Sequence, residues 1–494
     1  MFSDYFIAKK KLYPQLAKGR FRSLKNKLNI LFLGIYCLSP FLRFNRGDNI
    51  SNQAILIDIP NGRAYFFFIE IWPSEVYYLT AILIILAVAL FFITSLFGRI
   101  WCGYACFQTV WSDIFIMVER FFQGDRNSRI ILDRKNNFNK FYRKTLTHLT
   151  WIIISLLTGL VFCSYFSDVF LLYKNLFSLN ISTIILGWTI GIAGMTYLMA
   201  GFAREHVCTF MCPYARFQSA MFDDNTLIIS YDEKRGEPRD KYHQGEDFTK
   251  RGHCIDCKQC VVVCPTGIDI RNGLQMECIN CGLCIDACDS IMEKIGLPKG
   301  LIRYDTSLNL SDPKPKNKFK IWRLRTFYYL IILISVCSLT LYSLVNKAKI
   351  DFSVSQERNP LFVKLSDGSI RNGYYLKITN KTHYNKYFTI NIVEPYEASL
   401  KIQNNNENFV KVNAESSFIF KFFVTIPSQI ISLNKENRAF VIMEISSKNS
   451  ELIQQENSQL QITKNELLDN QIKDKNLNED DDINEKISII FIGD

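Results

Sequence analysis

The sequence contains no cysteine after Cys337, and the cysteines it does have are crowded. Thirteen of the 15 lie between Cys102 and Cys288, and eight of these fall within 35 residues. In a chain of 494 residues this crowding excludes a small disulfide-stapled scaffold and favours metal ligation. A continuous basic patch is also missing, because the Lys and Arg residues behind the net charge of +11 flank apolar runs. We therefore expect no nucleic-acid partner.

Apolar residues gather in five stretches that we interpret as spans of a hydrocarbon core about 30 Å thick. The stretches are residues 28–44, 77–97, 148–166, 181–202 and 327–344. The second contains no charged residue, whereas the first is shorter and contains Pro40 and Arg43. The first 27 residues are polar and basic and lack a small-residue cleavage site, so no cleavable signal peptide is expected.

Loop charges predict the orientation of these spans. Eight Lys and Arg residues precede the first span and nine lie between Arg99 and Lys144, against three and one in the two loops of the opposite side. The positive-inside rule therefore places the N-terminus and residues 98–147 in the cytoplasm. With five spans, residues 203–326 are cytoplasmic as well, and the chain after Asn346 lies on the outer side of the membrane.

Two Cys-x3-Cys pairs follow the second and the fourth span. Cys102 and Cys106 form one pair, Cys208 and Cys212 form the other, and equivalent cysteines are 106 residues apart. A Phe-Gln dipeptide follows each pair, which indicates a parallel repeat of two helix hairpins. The i, i+4 spacing predicts that both thiols of a pair share one helix face at the cytoplasmic membrane surface. Four such thiolates suit a soft metal such as Cu(I), with His206 as a further candidate ligand, or a redox-active dithiol. The alternative is that they are small packing residues.

The strongest motif lies at residues 254–288, where a Cys-x2-Cys-x2-Cys-x3-Cys run occurs twice. This doubled spacing is that of bacterial two-cluster ferredoxins, in which the fourth cysteine of each run ligates the other cluster. The first [4Fe–4S] cluster is therefore predicted on Cys254, Cys257, Cys260 and Cys288, and the second on Cys278, Cys281, Cys284 and Cys264. Zinc is the rival metal, but this run is unusual for tetrahedral zinc. Electron transfer is the expected role, and a purely structural role is the alternative.

After the fifth span the composition changes to short β-rich runs separated by polar turns. The runs are residues 374–379, 388–393, 418–426 and 440–446. Their regular spacing predicts a β-sandwich of immunoglobulin type without cysteine. Residues 449–486 are polar and acidic and are predicted to be disordered, with residues 487–492 returning as a last strand.

The predicted fold is therefore that of a multi-domain membrane protein. It combines five transmembrane α-helices, a cytoplasmic α+β two-cluster ferredoxin-like domain and a C-terminal all-β Ig-like sandwich. The predicted boundaries are a basic N-terminus (1–27), two hairpin repeats (28–203), a cytoplasmic domain (204–326) with its ferredoxin segment (250–292), a fifth helix (327–345) and the outer sandwich (346–494).

Several peptides in this chain resemble the FixG/CcoG/RdxA family of cytochrome c oxidase accessory proteins, from about Leu56 to Ser446. They are Ile57-Asp-Ile-Pro60, Gly98-Arg-Ile-Trp-Cys-Gly-Tyr104, Met211-Cys-Pro-Tyr-Ala-Arg-Phe-Gln218, Arg235-Gly-Glu-Pro-Arg239, Cys264-Pro-Thr-Gly-Ile-Asp-Ile-Arg271, Gly300-Leu-Ile-Arg-Tyr304 and Leu365-Ser-Asp-Gly-Ser-Ile-Arg-Asn372. One departure is Phe107, which stands where the first motif commonly has Pro. This departure puts the geometry of the first thiol pair in question.

The resemblance implies a multi-pass protein of the bacterial inner membrane, with a periplasmic C-terminal domain, that acts in assembly of the cbb3-type oxidase. The implied activity is reduction of Cu(II) to Cu(I), with electrons passing through two [4Fe–4S] clusters to copper held by the hairpin thiols. The implied partners are copper ions, subunits of the cbb3-type oxidase or copper chaperones, membrane lipid, and a cytoplasmic or quinol electron donor.

Two other functions stay open at this stage. A quinol-linked relay to a periplasmic reductase predicts quinone-sensitive cluster reduction. A non-catalytic assembly scaffold predicts that a Cys257 variant still supports oxidase assembly. His148, at the start of the third span, has no partner that the sequence identifies.

Overall fold

The computed structural model describes residues 12–46, 51–242, 248, 251–311, 319–382, 384–403, 409–427, 438–449 and 484–492. The chain divides into two compact units, Met1–Tyr342 and Ser343–Asp494, and each is described by itself. Residues 450–483, which make up most of the predicted disordered stretch, and the first eleven residues of the predicted basic N-terminus lie outside the described residues.

The helices of the first unit account for most of its described residues. They are α1 (Arg20–Leu38), α2 (Tyr77–Phe97), α3 (Ile100–Tyr104), α4 (Phe107–Gln123), α5 (Arg126–Arg134), α6 (Phe138–Cys163), α7 (Val169–Phe177), α8 (Thr183–Thr196), α9 (Arg204–His206), α10 (Pro213–Ala220), α11 (Glu233–Gly236), α12 (Gln259–Val262), α13 (Leu283–Lys294), α14 (Ser307–Ser311) and α15 (Leu324–Val345). Two π-helical segments, Tyr197–Ala203 and Val207–Met211, flank α9. Short 3-10 helices cover Ser39–Phe41, Pro73–Glu75 and Ile270–Asn272.

The strands form two small sheets in the first unit and two larger sheets in the second. The strands are β1 (Ile55–Asp58), β2 (Arg63–Phe66), β3 (Ile69–Ile71), β4 (Ile228–Tyr231), β5 (Ile302–Asp305), β6 (Ile350–Gln356), β7 (Val363–Lys364), β8 (Ile370–Asn380), β9 (Lys386–Glu394), β10 (Ser399–Ile402), β11 (Phe409–Val412), β12 (Ser416–Ile426), β13 (Arg438–Asn449) and β14 (Asn484–Ile492). The meander β1-β2-β3 follows the first helix and is not anticipated by the sequence analysis.

Four helical stretches of the described chain are long and apolar enough to cross a membrane. They are Pro73–Phe97, Phe138–Cys163, Thr183–Met211 and Leu324–Val345. The predicted span 28–44 is not among them, because the helix that contains its first part, α1, begins at Arg20, ends at Leu38 and carries four basic residues in its first half. The predicted count of five spans is therefore not confirmed.

Buried polar contacts fix α1 against the rest of the first unit. Arg22 Nη1 lies 2.8 Å from Asp113 Oδ1 on α4, and Asn29 Nδ2 donates to Asp113 Oδ2 at 3.0 Å. At the start of α1, the backbone N–H groups of Phe21 and Arg22 donate to the carboxylate of Asp286 on α13. The first turn of a helix leaves such N–H groups without intrahelical partners, so Asp286 acts as a cap supplied from another element.

Antiparallel strands β4 and β5 bracket the cysteine-rich segment. Ile228 pairs with Asp305 and Tyr231 with Ile302, which brings residues more than 70 positions apart into one ladder. Between them, α12 and α13 pack on a core that combines aliphatic side chains with cysteines. The cysteines are therefore part of the core of this segment, and its folding is coupled to what they bind.

The second unit is a two-sheet sandwich, as the sequence predicts. One sheet has the order β10-β12-β8-β6 with β7 on β8, and the other has the order β11-β9-β13-β14. Alternate side chains of β8 and β12, such as Leu376 and Phe422, are fully buried between the sheets. The last strand, β14, pairs antiparallel with β13 from Arg438↔Ile492 to Ser446↔Asn484, so the predicted return of the C-terminal segment is present.

Candidate iron–sulfur and thiol site

The two cysteine runs fold into loops with the same backbone pattern. Asp256 and Asn280, each two residues after the first cysteine of a run, have φ values of 46° and 52°. Lys258 and Gly282, each directly after the second cysteine, have φ values of 55° and 74°. Asp, Asn and Gly tolerate this left-handed region, whereas Lys258 adopts it at a cost. A helix, α12 or α13, then begins at the next residue in each case.

Two enclosed cavities lie between these loops, and we name each after one cysteine. The Cys254 cavity is lined by Cys254, Cys257, Cys260 and Cys288. The Cys264 cavity is lined by Cys264, Cys278, Cys281 and Cys284, with Cys260 at its edge. Each cavity thus combines the first three cysteines of one run with the fourth cysteine of the other. This is the crossed arrangement that the spacing predicts.

The donor set fits iron–sulfur cubes better than single metal ions. Among the described residues, no three Cys, His, Asp or Glu side chains gather closely enough to hold one ion. The cysteines instead surround a space, as ligands of a four-iron cube do. Burial raises the pKa of Cys260 and Cys278 to about 12 and that of Cys281 to about 11. Without a metal these thiols would therefore stay protonated at neutral pH.

A buried guanidinium lies beside the Cys254 cavity. The side chain of Arg271 is only 5% exposed, donates to Asp256 Oδ1 at 2.5 Å and donates to Asp269 Oδ2 at 2.7 Å. It also interacts with Cys254. The hydrogen bonds to the two carboxylates raise the pKa of Arg271, so its positive charge is fixed next to Cys254.

The hairpin pairs do not lie each on one helix face, which corrects the prediction from their i, i+4 spacing. Cys102 lies in α3 and Cys208 in a π-helical segment, whereas Cys106 and Cys212 lie just before α4 and α10. Cys106 and Cys212 have extended backbones, with ψ values of 126° and 109°. Pro213 favours this conformation for Cys212. Cys106 shares the extended backbone of Cys212 although Phe107, and not proline, follows it.

The four hairpin thiols come within electrostatic reach of one another. Cys102 interacts with Cys106 and Cys212, and Cys208 interacts with the other three. Burial raises the pKa of Cys102 to about 11 and also raises that of Cys106. Whether the two pairs share a site is not decided by their sequence, and the structure brings them together. Binding of a single copper ion would still require the described thiols to draw closer.

The two Phe-Gln dipeptides connect the hairpin repeats to each other. Gln218 accepts a hydrogen bond from Cys102 Sγ at 3.1 Å and another from Arg99 Nε at 3.2 Å. Gln108 donates to the carbonyl of Met199 at 2.9 Å. Each glutamine therefore contacts the opposite repeat. In the sequence these glutamines mark only the repeat, and their equivalent positions were the one sign that they link its two halves.

The first hairpin pair also contacts the cysteine-rich loops. A Cβ on Gly103 would lie 2.6 Å from the carbonyl oxygen of Ile279, so only glycine allows this approach. Tyr104 Oη donates to the carbonyl of Cys281 at 2.9 Å. Cys102 and the second cysteine run are consequently separated by a single layer of backbone. The predicted further ligand His206 stacks on Phe210, and His148 Nδ1 lies 3.0 Å from Tyr197 Oη.

Comparison with known proteins agrees with this architecture. Residues 203–307 match a family model described as a 4Fe-4S dicluster domain, and residues 79–125 match a 4Fe-4S binding domain. Residues 340–461 match the model "IG-like fold at C-terminal of FixG, putative oxidoreductase". Protein RdxA of Cereibacter sphaeroides is 40% identical over 433 residues, covering 86% of this chain and 92% of the relative. The nitrogen fixation protein FixG of Rhizobium meliloti is 37% identical over 483 residues, 90% of this chain and 92% of the relative.

The chain belongs to the FixG/RdxA family. Protein RdxB of Cereibacter sphaeroides, 41% identical over 429 residues, covers 85% of this FixG-family chain and 90% of its own length. The family models and the apolar helices identify the protein as an iron–sulfur electron-transfer protein of a membrane. The predicted sandwich corresponds to the Ig-like domain of FixG.

Proposed function

We propose that this FixG-family protein is an inner-membrane oxidoreductase that reduces Cu(II) to Cu(I) for assembly of the cbb3-type oxidase. The observation that carries the proposal is the contiguity of three thiol-lined regions. Cys260 lines both cysteine cavities. Gly103 and Tyr104, next to Cys102, contact the backbone of the second cysteine run.

In this proposal the eight cysteines of residues 254–288 hold the two clusters in the crossed arrangement. Bound there, the clusters supply single electrons at low potential. Cys260, shared between the cavities, keeps the two sites adjacent. Arg271 fixes a positive charge beside Cys254, and the aliphatic lining of both cavities excludes water.

Copper is the substrate of the hairpin thiols. Cys102, Cys106, Cys208 and Cys212 favour the soft Cu(I) ion, so their binding energy favours the product of the one-electron step. Gln218 and Arg99 orient Cys102 toward that site through their hydrogen bonds. The reduced copper would then pass to oxidase subunits or copper chaperones.

The experiment uses full-length protein that is purified anaerobically, reduced with dithionite and freed of excess reductant. It is mixed with Cu(II) in the presence of a chelator specific for Cu(I). We expect bleached cluster absorbance to recover as the Cu(I) complex appears, one copper per electron. The variant Cys208→Ala/Cys212→Ala should keep its clusters and lose this reaction. Cys37→Ala/Cys337→Ala removes two thiols elsewhere and serves as the matched control.

Clusters that stay reduced while Cu(II) persists would exclude copper as the electron acceptor. Equal rates in the native protein and in the Cys208→Ala/Cys212→Ala variant would exclude the hairpin thiols as the site. Loss of the clusters in that variant would instead identify these thiols as part of the iron–sulfur framework.

A further inference from the structure

A cavity of about 400 Å³ lies in the first unit, and of the thiols proposed to bind copper only Cys208 lines it. It lies between α4, α6, the helical stretch 197–211 and the loop after Cys264. Its lining mixes aromatic, charged and small polar side chains, among them His148, Trp151, Phe202, Arg204, Glu119 and Thr266. Small-molecule sites have about 300–1,000 Å³ and combine apolar walls with a few polar groups. We call this space the inner cavity.

The inner cavity adjoins the Cys264 cavity directly. Thr266 and Ile279 line both spaces, so they form a wall one side chain thick. Thr266 Oγ1 lies 3.3 Å from Cys264 Sγ. Cys208 lines the inner cavity as well. A molecule in the inner cavity would therefore lie within a short electron-transfer distance of the second predicted cluster.

A second space, which we call the outer groove, meets the inner cavity at Lys144 and His148. It has about 680 Å³ and runs along the start of α6, where four apolar side chains line it together with Thr145, His148 and Asn and Lys side chains. Phe138, Phe141 and Leu149 of its wall are 80%, 68% and 52% exposed. By the loop charges, Phe138 and Phe141 lie at the cytoplasmic surface of the membrane, and Leu149 extends the groove into the candidate span α6, so this exposed apolar face suits contact with lipid at the membrane surface. The outer groove thus offers a path from the bilayer to the inner cavity.

The polar groups of the inner cavity can bind a head group and exchange protons with it. His148 Nδ1 lies 3.0 Å from Tyr197 Oη, a hydroxyl that can either donate to the imidazole or accept from it. Trp151 and Phe202 pack around the imidazole at 5.1 and 6.0 Å between ring centres. Such aromatic faces suit a planar ring.

The backbone at this cavity departs from a regular α-helix in two π-helical segments and at Arg204 between them. Arg204 has a φ of 25°. Its guanidinium lies 2.7 Å from Glu119 Oε1 and donates to both carboxylate oxygens, while Arg129 lies 3.0 Å from Glu119 Oε2. π-helical segments and strained residues concentrate at functional sites, and the buried ion pairs hold this one in place.

We propose that the outer groove and the inner cavity bind a membrane quinol, which donates electrons to the clusters. The isoprenoid tail occupies the outer groove, and the ring lies against His148, Trp151 and Thr266. One hydroquinone becomes quinone by releasing two electrons and two protons. The two electrons would pass one each to the two [4Fe–4S] clusters that the eight cysteines of residues 254–288 would hold, while His148 takes one proton and the half-buried carboxylate of Glu205 in the cavity wall takes the other. This inference deepens the proposed function, because it names the electron donor and rests on the redox role of the clusters.

The test follows electron transfer in the reverse, downhill direction, so that cluster potential does not limit it. Full-length protein is reduced with dithionite, freed of excess reductant and mixed with a short-chain ubiquinone or menaquinone analogue. We expect saturable cluster re-oxidation. The half-saturating quinone concentration should rise about tenfold in His148→Gln, because one buried hydrogen-bond partner is lost. Thr145→Trp fills the outer groove and should slow re-oxidation similarly without altering the inner cavity.

Two controls separate this site from general reactivity. Leu157→Trp places the same bulk on the exposed face of α6 outside the groove and should behave as the native protein does. Re-oxidation by hexaammineruthenium(III), which is soluble in water, should be equal in all variants. Non-saturable re-oxidation, or equal quinone kinetics in Thr145→Trp and Leu157→Trp, would overturn the proposal. A tightly bound phospholipid that co-purifies with the protein and blocks quinone re-oxidation would also overturn it.

The result is independent of copper. If re-oxidation of the clusters by quinone depends on His148 and Cu(II) does not re-oxidise them, the quinol site is supported and the copper function is rejected. Copper reduction together with quinone kinetics that no variant changes supports the copper function and rejects the quinol site.

Discussion

At the scale of single residues, Arg271 gives the clearest control over the chemistry of a predicted cluster. Its guanidinium is almost fully buried, is held by Asp256 and Asp269, and interacts with Cys254. A positive charge beside a cluster favours the reduced state, which carries one more negative charge. Arg271 thus sets the potential at one end of the electron path.

We expect Arg271→Gln to lower the midpoint potential of one of the two clusters by on the order of tens of millivolts. The measurement is a redox titration of the intact protein followed by the EPR signals of the reduced clusters. Arg303→Gln removes an arginine that binds Asp232 and Asp305 but does not line the Cys254 cavity, so it should leave both potentials in place. Equal shifts in the two variants would contradict this role of Arg271.

At the scale of elements, the docking of α1 depends on Asp113, which binds Arg22 and Asn29 and lies near Lys25. Burial opposes the charge of Asp113, but Lys25 and Arg22 outweigh it and hold the pKa of its carboxyl below the usual range. A lowered pKa means that the folded state binds this proton less readily than the unfolded chain does. The stabilisation is therefore complete at neutral pH and is lost as the pH falls through the lowered pKa.

Asp113→Ala should destabilise the first unit by about 3 kcal/mol at pH 7, because two buried cations lose their partner. The melting temperature of the detergent-solubilised protein measures this effect. The difference from the native protein should shrink as the pH falls into the acid range where Asp113 of the native protein is itself protonated. The control Asp125→Ala removes a half-exposed carboxylate whose Oδ1 lies 3.9 Å from Arg120 Nε. It should lower the free energy of unfolding by only about 0–1 kcal/mol. A difference that persists unchanged into strong acid would rule out the ion pair as the cause.

The sequence predicts some elements of this structure well and others poorly. The cysteine spacing and the alternation of apolar residues in β8 and β12 are local signals, and they predict the crossed cysteine sets and the sandwich. The prediction for the thiol pairs is wrong, because residues at i and i+4 share a helix face only if the helix includes both. The helical segments of Cys102 and Cys208 end before Cys106 and Cys212. Pro213 predicts the helix end at Cys212, because a residue before proline disfavours the helical conformation. No residue near Cys106 predicts the helix end there.

The inner cavity could not be predicted for a different reason. Its wall combines residues of α4, α6, the π-helical stretch and the loop after Cys264, which only tertiary packing brings together. His148 has no sequence neighbour that marks it. Its partner Tyr197 lies 49 positions away, and the wall that it shares with Thr266 crosses from the apolar helices to the cysteine-rich segment.

At the scale of the whole molecule, the open issue is whether α1 crosses the membrane. Four helices of the described chain meet the length and hydropathy of a span, and α1 does not, because its first half carries Arg20, Arg22, Lys25 and Lys27. With five spans, the Ig-like unit lies on the opposite side from the N-terminus. With four spans, both lie on the same side. The loop charges predict that the N-terminal segment and residues 98–147 are both cytoplasmic, which requires two crossings between them and therefore favours five spans.

We expect five spans, with the second half of α1 and the segment up to Phe44 completing the first crossing. Alkaline phosphatase fused after Asn61, which follows α1 and precedes α2, should then be active, and so should a fusion after residue 494, because both sites reach the periplasm. Green fluorescent protein fused before residue 1 should be fluorescent, which confirms expression and a cytoplasmic N-terminus, whereas the same protein fused after Asn61 or after residue 494 should be dark. Inactive phosphatase at both sites would show that α1 does not cross, and would place the Ig-like unit in the cytoplasm, where it could not receive periplasmic oxidase subunits. The pattern of these two fusions therefore decides which side of the membrane a partner of the Ig-like unit can approach from.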